Sequence, residues 1–125
     1  MLHEIKNVKQ ERGAGRRRWF ESEGLEVVVW FTRSGTVTGF QLCYDLGDGQ
    51  HALTWHPASG FAHNSIDTGD ESPFSNQTPI LQQGGPVPWN ELAHLFDERS
   101  ATLEPALRNL IHDNLAAQVA ANAGG

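Results

Sequence analysis

Apolar and polar positions alternate through the first half of the chain and recur at helical spacing through its last third. Leu25-Glu26-Val27-Val28-Val29-Trp30-Phe31 is rich in β-branched and aromatic residues and is bounded by Gly24 and by Ser34-Gly35, which predicts a central strand. Thr36 to Leu46 predicts a second strand and Gln50 to His56 a third. Between them lies Asp48-Gly49, a pair suited to the positive φ angles of a tight hairpin turn. Pro57-Ala58-Ser59-Gly60 then reverses the chain into a run from Phe61 to Ile66. Upstream, Arg17 to Glu21 predicts a further strand, and residues 1–15 an edge strand or arm.

Because side chains alternate across a strand, each turn fixes which residues share a face. A two-residue turn at Ser34-Gly35 pairs Val29 with Phe40, Val27 with Leu42 and Leu25 with Tyr44. A two-residue turn at Asp48-Gly49 pairs Tyr44 with Leu53 and Leu42 with Trp55. The two registers agree: Leu25, Val27, Val29, Phe31, Phe40, Leu42, Tyr44, Leu53 and Trp55 fall on one face. The 57–60 turn, pairing His56 with Phe61 and Thr54 with His63, sends Phe61 and His63 to the other face. They join Glu26, Val28, Trp30, Gln41, Cys43 and His56 there.

Residues 67–88 are rich in Asp, Ser, Gly and Pro and predict a long connection, with only Thr78-Pro79-Ile80-Leu81 strand-like. Trp89 to Arg99 predicts a short helix with Trp89, Leu92, Leu95 and Phe96 inward. Thr102 is the expected N-cap of a second helix, with Glu104 and Pro105 in its first turn. Leu103, Leu107, Leu110, Ile111 and Leu115 give that helix an apolar stripe, and residues 119–125 an expected frayed tail. The resulting class is α+β: an antiparallel β-meander of four to six strands, with a C-terminal amphipathic helix packed on one face. Residues 1–125 are expected to form one domain.

Composition narrows the function classes. The chain has 125 residues with four Trp and six Phe, enough to build one core. A lone cysteine excludes an internal disulfide and suits a reducing compartment. No run reaches the ~18 apolar residues of a membrane span, and the N-terminus lacks a signal-peptide core, so a bacterial cytoplasmic protein is expected. Residues 1–20 hold six basic and two acidic residues, a balance of +4, whereas the remainder holds three Arg against thirteen acids, a balance of −10. An acidic remainder disfavours nucleic acid as a general partner.

The sharpest chemistry is the expected row of Cys43, Thr54 and His63 with His56 diagonal to it. Thiolate and imidazole are zinc ligands, and a Cys–His pair can also activate a thiol. The plainer reading makes Cys43 a small buried residue and the histidines solvated, so the metal is left open and no cofactor or catalytic residue is assigned. Trp30, opposite Gly39, forms a flat aromatic platform on that face. The candidate ligand-binding face is therefore Trp30, Gln41, Cys43, His56, Phe61 and His63, suited to a small ligand or a subunit interface.

Arg16-Arg17-Arg18-Trp19-Phe20 has the makings of a phosphate or single-stranded nucleic-acid contact. The favoured reading is an edge strand whose arginines pair with Glu21, Glu23, Glu26 or an acidic loop of a partner. Gly13-Ala14-Gly15 lacks the rest of a dinucleotide loop, and Asp67, Asp70 and Glu71 match no EF-hand spacing.

The strings Arg16-Arg17-Arg18-Trp19-Phe20, Gly39-Phe40-Gln41-Leu42-Cys43-Tyr44-Asp45 and Ala52-Leu53-Thr54-Trp55 resemble a group of short uncharacterised bacterial proteins, over roughly residues 16–115. That resemblance implies a bacterial, single-domain protein and carries no activity. The expected function is a non-enzymatic binding or interaction module, homodimeric. The alternative is a small metal- or thiol-dependent enzyme using Cys43, His56 and His63.

Overall fold

A computed structural model describes residues 1–6, 15–47, 49–67, 80–83 and 85–123. The strands β1 (His3–Glu4), β2 (Arg16–Ser22), β3 (Leu25–Phe31), β4 (Val37–Asp45), β5 (Gln50–His56), β6 (Gly60–Asp67) and β7 (Ile80–Gln83) lie side by side in chain order. Every neighbouring pair is antiparallel. Six strands of four residues or more thus make the meander, with β1 a two-residue addition at one edge. Two helices follow, α1 (Trp89–Arg99) and α2 (Pro105–Ala123).

Both helices cover the same sheet face. Leu92 and Phe96 of α1, together with Leu107, Ile111 and Leu115 of α2, are buried against Leu25, Val27, Val29, Phe40, Leu42, Tyr44 and Leu53. Phe31 and Trp55 pack at the margin of this core, as do Trp89 and Leu95. In β2 it is Phe20 that joins the core, whereas Trp19 faces the other way opposite Val28. The α2 helix continues through Ala123 rather than ending at Val119, although Ala120 to Asn122 are exposed.

The turns decide the faces, and they differ from the shortest forms in instructive ways. Between β3 and β4 the loop has three residues, closed by Thr32 N–H to Thr36 C=O at 2.8 Å, with Gly35 at φ 95°. A one-residue irregularity near Trp30 and Phe31 then restores the expected register, with Leu25 opposite Tyr44 and Val29 opposite Phe40. Between β4 and β5, Asp45 pairs with Gln50, so the loop spans four residues and the two-residue turn is overturned. Asp48 itself lies outside the described residues. Leu42 consequently faces Leu53, not Trp55, a shift of two positions that leaves every side chain on its expected face.

The β5–β6 turn has the larger effect. His56 pairs with Gly60, Trp55 with Phe61 and Leu53 with His63. This is one position from the expected register, and an odd shift moves a whole strand's side chains to the opposite face. Phe61 and His63 therefore lie on the helix side. Phe61 packs edge-on to Phe40 at 6.0 Å between ring centroids and to Trp89 at 5.1 Å.

The N-terminus is tied to the helices. Leu2 N–H donates to Arg99 C=O at 2.9 Å, and the Thr102 hydroxyl donates to Leu2 C=O at 2.5 Å. Thr102 thus holds Leu2 instead of capping α2. Arg18 grips both Glu4 oxygens, through Nε at 3.0 Å and Nη2 at 2.8 Å, and reaches Glu104 with Nη1 at 2.8 Å. That hydrogen-bonded guanidinium holds the Glu4 carboxyl below its ordinary pKa, against an opposing effect of partial burial.

Candidate functional site

No described element covers the sheet face opposite the helices, and its side chains form two tiers. At one end Trp30 lies opposite Gly39, and the His56 ring reaches across that glycine. A Cβ at position 39 would sit 2.7 Å from both His56 Nδ1 and the Trp55 carbonyl oxygen, so only glycine lets the imidazole lie there. The His56 Nδ1–H donates to Thr38 C=O at 3.3 Å, which orients the ring. Trp30 and His56 are stacked, with centroids 6.0 Å apart and planes 20° from parallel. The next tier is polar. Gln41 Nε2 donates to Thr54 Oγ1 at 3.0 Å, and the Cys43 thiol donates to Gln41 Oε1 at 3.6 Å.

Of the six candidate ligand-binding residues, four share this face: Trp30, Gln41, Cys43 and His56. Phe61 and His63 do not, because of the β5–β6 register. The expected row of Cys43, Thr54 and His63 is likewise overturned. Cys43 pairs with Ala52, and His56 lies at the Gly39 end of the strand pair, two rungs beyond the Gln41–Thr54 pair. Among the described residues, no three of His, Cys, Asp or Glu are gathered as metal ligands.

Burial, and secondarily the nearby Glu26 carboxylate, push the Cys43 thiol up to about 11. At neutral pH it is a protonated hydrogen-bond donor, not a nucleophile. Alkylation by iodoacetamide in the folded protein is expected to be slow near neutral pH. It should accelerate by about tenfold per pH unit until it levels near pH 11. A rate that levels near the ordinary thiol range would contradict this environment.

Compared with protein-family models, curated proteins and solved structures, the chain finds no match. Its function has to be read from its own residues. No helix among the described residues is long and apolar enough to cross a membrane.

The register that removes His63 from the open face gives it other partners on the helix side. Its Nδ1–H donates to Gly85 C=O at 2.9 Å, since a carbonyl only accepts. In the neutral ring Nε2 must then accept, and it takes the Tyr44 O–H at 2.5 Å. The His51 ring lies nearly parallel to His63, 5.2 Å away with 7° between planes, and stacks on Tyr44 at 5.4 Å. These rings border a cleft of about 530 Å³ together with Pro86, Pro88 and Glu91. Sequence reasoning missed this cluster. Its only available signal was the choice between a three- and a four-residue reversal at Pro57.

The arginines divide by strand alternation. Arg17 lies on the open face opposite Trp30, while Arg16 and Arg18 lie on the helix side opposite Phe31 and Val29. Arg18 pairs with Glu4 and Glu104, not with the expected Glu21, Glu23 or Glu26.

Proposed function

We propose that this chain is a non-enzymatic binding module that associates with a second copy of itself through the helix-free face of its sheet. The observation that carries the reading is the Trp30–Gly39–His56 tier, a stacked aromatic pair beside a glycine, anchored by the His56 bond to Thr38 C=O and covered by no described element. An uncovered aromatic tier favours a partner with apolar surface of its own, and a two-fold contact supplies one by pairing the face with itself. Charge supports the same occupant. Glu21, which has His3 Nε2 at 3.4 Å, and Glu26 are acidic cross-strand neighbours at one end of this face, whereas Arg17 lies near the other end. Four residues of strand separate Arg17 from Glu21, about 13 Å, so an antiparallel stack brings opposite charges towards each other. The reading includes a bacterial cytoplasmic location, which suits the lone protonated thiol of Cys43.

Light scattering of the eluting protein is expected to give twice the 13.8 kDa chain mass. Trp30→Glu should weaken association by at least about tenfold, about 1.4 kcal/mol, with an unchanged circular dichroism spectrum. A monomer at every concentration up to millimolar, or a Trp30→Glu protein that still dimerises equally, would refute the proposal.

A further inference from the structure

We infer that a second site, at the β3–β4 hairpin, binds a small phosphorylated molecule carrying a planar ring. A cavity of about 360 Å³ opens there, lined by Arg16, Arg18, Phe31, Thr32, Arg33 and Ser34. Its three guanidinium groups come from two elements, Arg16 and Arg18 from β2 and Arg33 from the hairpin loop. Their positions follow from the fold. Arg16 is the cross-strand partner of Phe31, and the three-residue loop closed by the Thr32–Thr36 bond carries Arg33 over the same end of the sheet.

The three arginines have different roles. Arg18 spends three of its five donors on Glu4 and Glu104, so it builds the wall, and with its two carboxylates it forms a group of net charge −1 that leaves the positive charge to Arg16 and Arg33. Arg16 and Arg33 form no close ion pair among the described residues and are exposed, in a chain whose net charge is −6. Two exposed guanidinium groups outside any ion pair, one of them also within electrostatic reach of Glu4, form a fork beside the cavity for a dianionic phosphate. The Phe31 ring, packed against the core on its inner side, gives the cavity an apolar wall on which a planar group can stack.

The cavity has the size of a small-molecule site. The acidic remainder of the chain, at −10 after residue 20, opposes the flanking phosphates of a polymer, so a discrete ligand is favoured over a nucleic-acid strand. This site lies on the helix side, away from the proposed self-association face, so the two proposals stand or fall separately.

The test uses the full chain and three probes in low-salt calorimetry: adenosine 5′-monophosphate, adenosine and a single-stranded oligothymidylate. Adenosine monophosphate is expected to bind at least about tenfold more tightly than adenosine, because the phosphate supplies most of the attraction. The double variant Arg16→Gln/Arg33→Gln should lose at least about tenfold of that affinity, while Arg17→Gln, on the opposite face, should not. Both altered residues are exposed, and an unchanged melting temperature will show that the fold is retained. Absence of binding by adenosine monophosphate, equal binding of adenosine, or undiminished binding by the double variant would each overturn the inference. So would tighter binding of the oligothymidylate than of the mononucleotide.

Discussion

Phe40→Ala is expected to destabilise the protein by about 3–5 kcal/mol. Phe40 is fully buried on the helix side of β4, opposite Val29 on one flank and Trp55 on the other. Its ring stacks on Trp55 with centroids 5.1 Å apart and meets the edge of Phe61 at 6.0 Å. Through Phe61 it is linked to Trp89 at the start of α1, so the same side chain joins three strands to a helix. Truncation removes the transfer free energy of the ring, leaves a cavity, and breaks two aromatic pairs worth about 0.5–1.5 kcal/mol each. Against a total stability of about 5–15 kcal/mol, this consumes a large share. Urea unfolding should show a much lower midpoint with little change in slope. A loss below about 1.5 kcal/mol would mean that Phe40 does not occupy the centre of the core.

The second large effect is expected at Gly39, where the open face depends on the absence of a side chain. In Gly39→Val the new Cβ falls 2.7 Å from the Trp55 carbonyl oxygen, which is backbone and can yield only if β4 and β5 separate locally. It also falls 2.7 Å from His56 Nδ1, so the imidazole must leave its position across the strand. The backbone displacement should cost about 1–3 kcal/mol, the range for overpacking a fitted site. Displacing His56 also breaks its stack on Trp30 and its bond to Thr38 C=O, so self-association should weaken together with stability. His56→Ala separates the two effects, because it removes the ring without straining the backbone. Differential scanning calorimetry and light scattering on both variants check this. Full stability and dimerisation in Gly39→Val would contradict the described packing of β4 against β5.

Much of the architecture was legible because alternation is robust to even errors. The β4–β5 loop is two residues longer than the Asp48-Gly49 signal suggests, yet Leu42, Tyr44 and Leu53 still face the core. A one-residue difference at Pro57 to Gly60 instead carried Phe61 and His63 across the sheet. Proline and glycine mark a reversal without counting its residues, and parity depends on that count. Both helices were readable from spacing alone, since Leu92, Phe96, Leu107, Ile111 and Leu115 recur where an apolar face requires them. The long-range ties were not. Nothing local in the sequence indicates that Thr102 holds Leu2, or that Arg18 joins Glu4 to Glu104. Such contacts depend on how α2 returns to the sheet edge.

The corrected register also changes which chemistry the two faces offer. Cys43 and His56 both stay on the open side, but four strand positions apart, as a protonated thiol and an aromatic ring rather than a reactive pair. His63 pairs with the Tyr44 hydroxyl beside a cleft on the helix side, in a hydrogen-bonded chain that ends at Gly85 C=O. The two faces therefore have distinct characters, one carrying the Trp30–His56 stack under no described element, the other closed over by α1 and α2 except at its margins.

The four tryptophans provide the most direct measurement of whether the open face is the one that associates. Trp19 and Trp30 lie on the helix-free side, Trp55 and Trp89 on the helix side. In amide and indole proton–nitrogen spectra recorded from millimolar to micromolar protein, the Trp30 indole signal should move on dilution while those of Trp55 and Trp89 stay fixed. Movement of Trp55 and Trp89 with Trp30 unchanged, or no movement of any of the four, would contradict it.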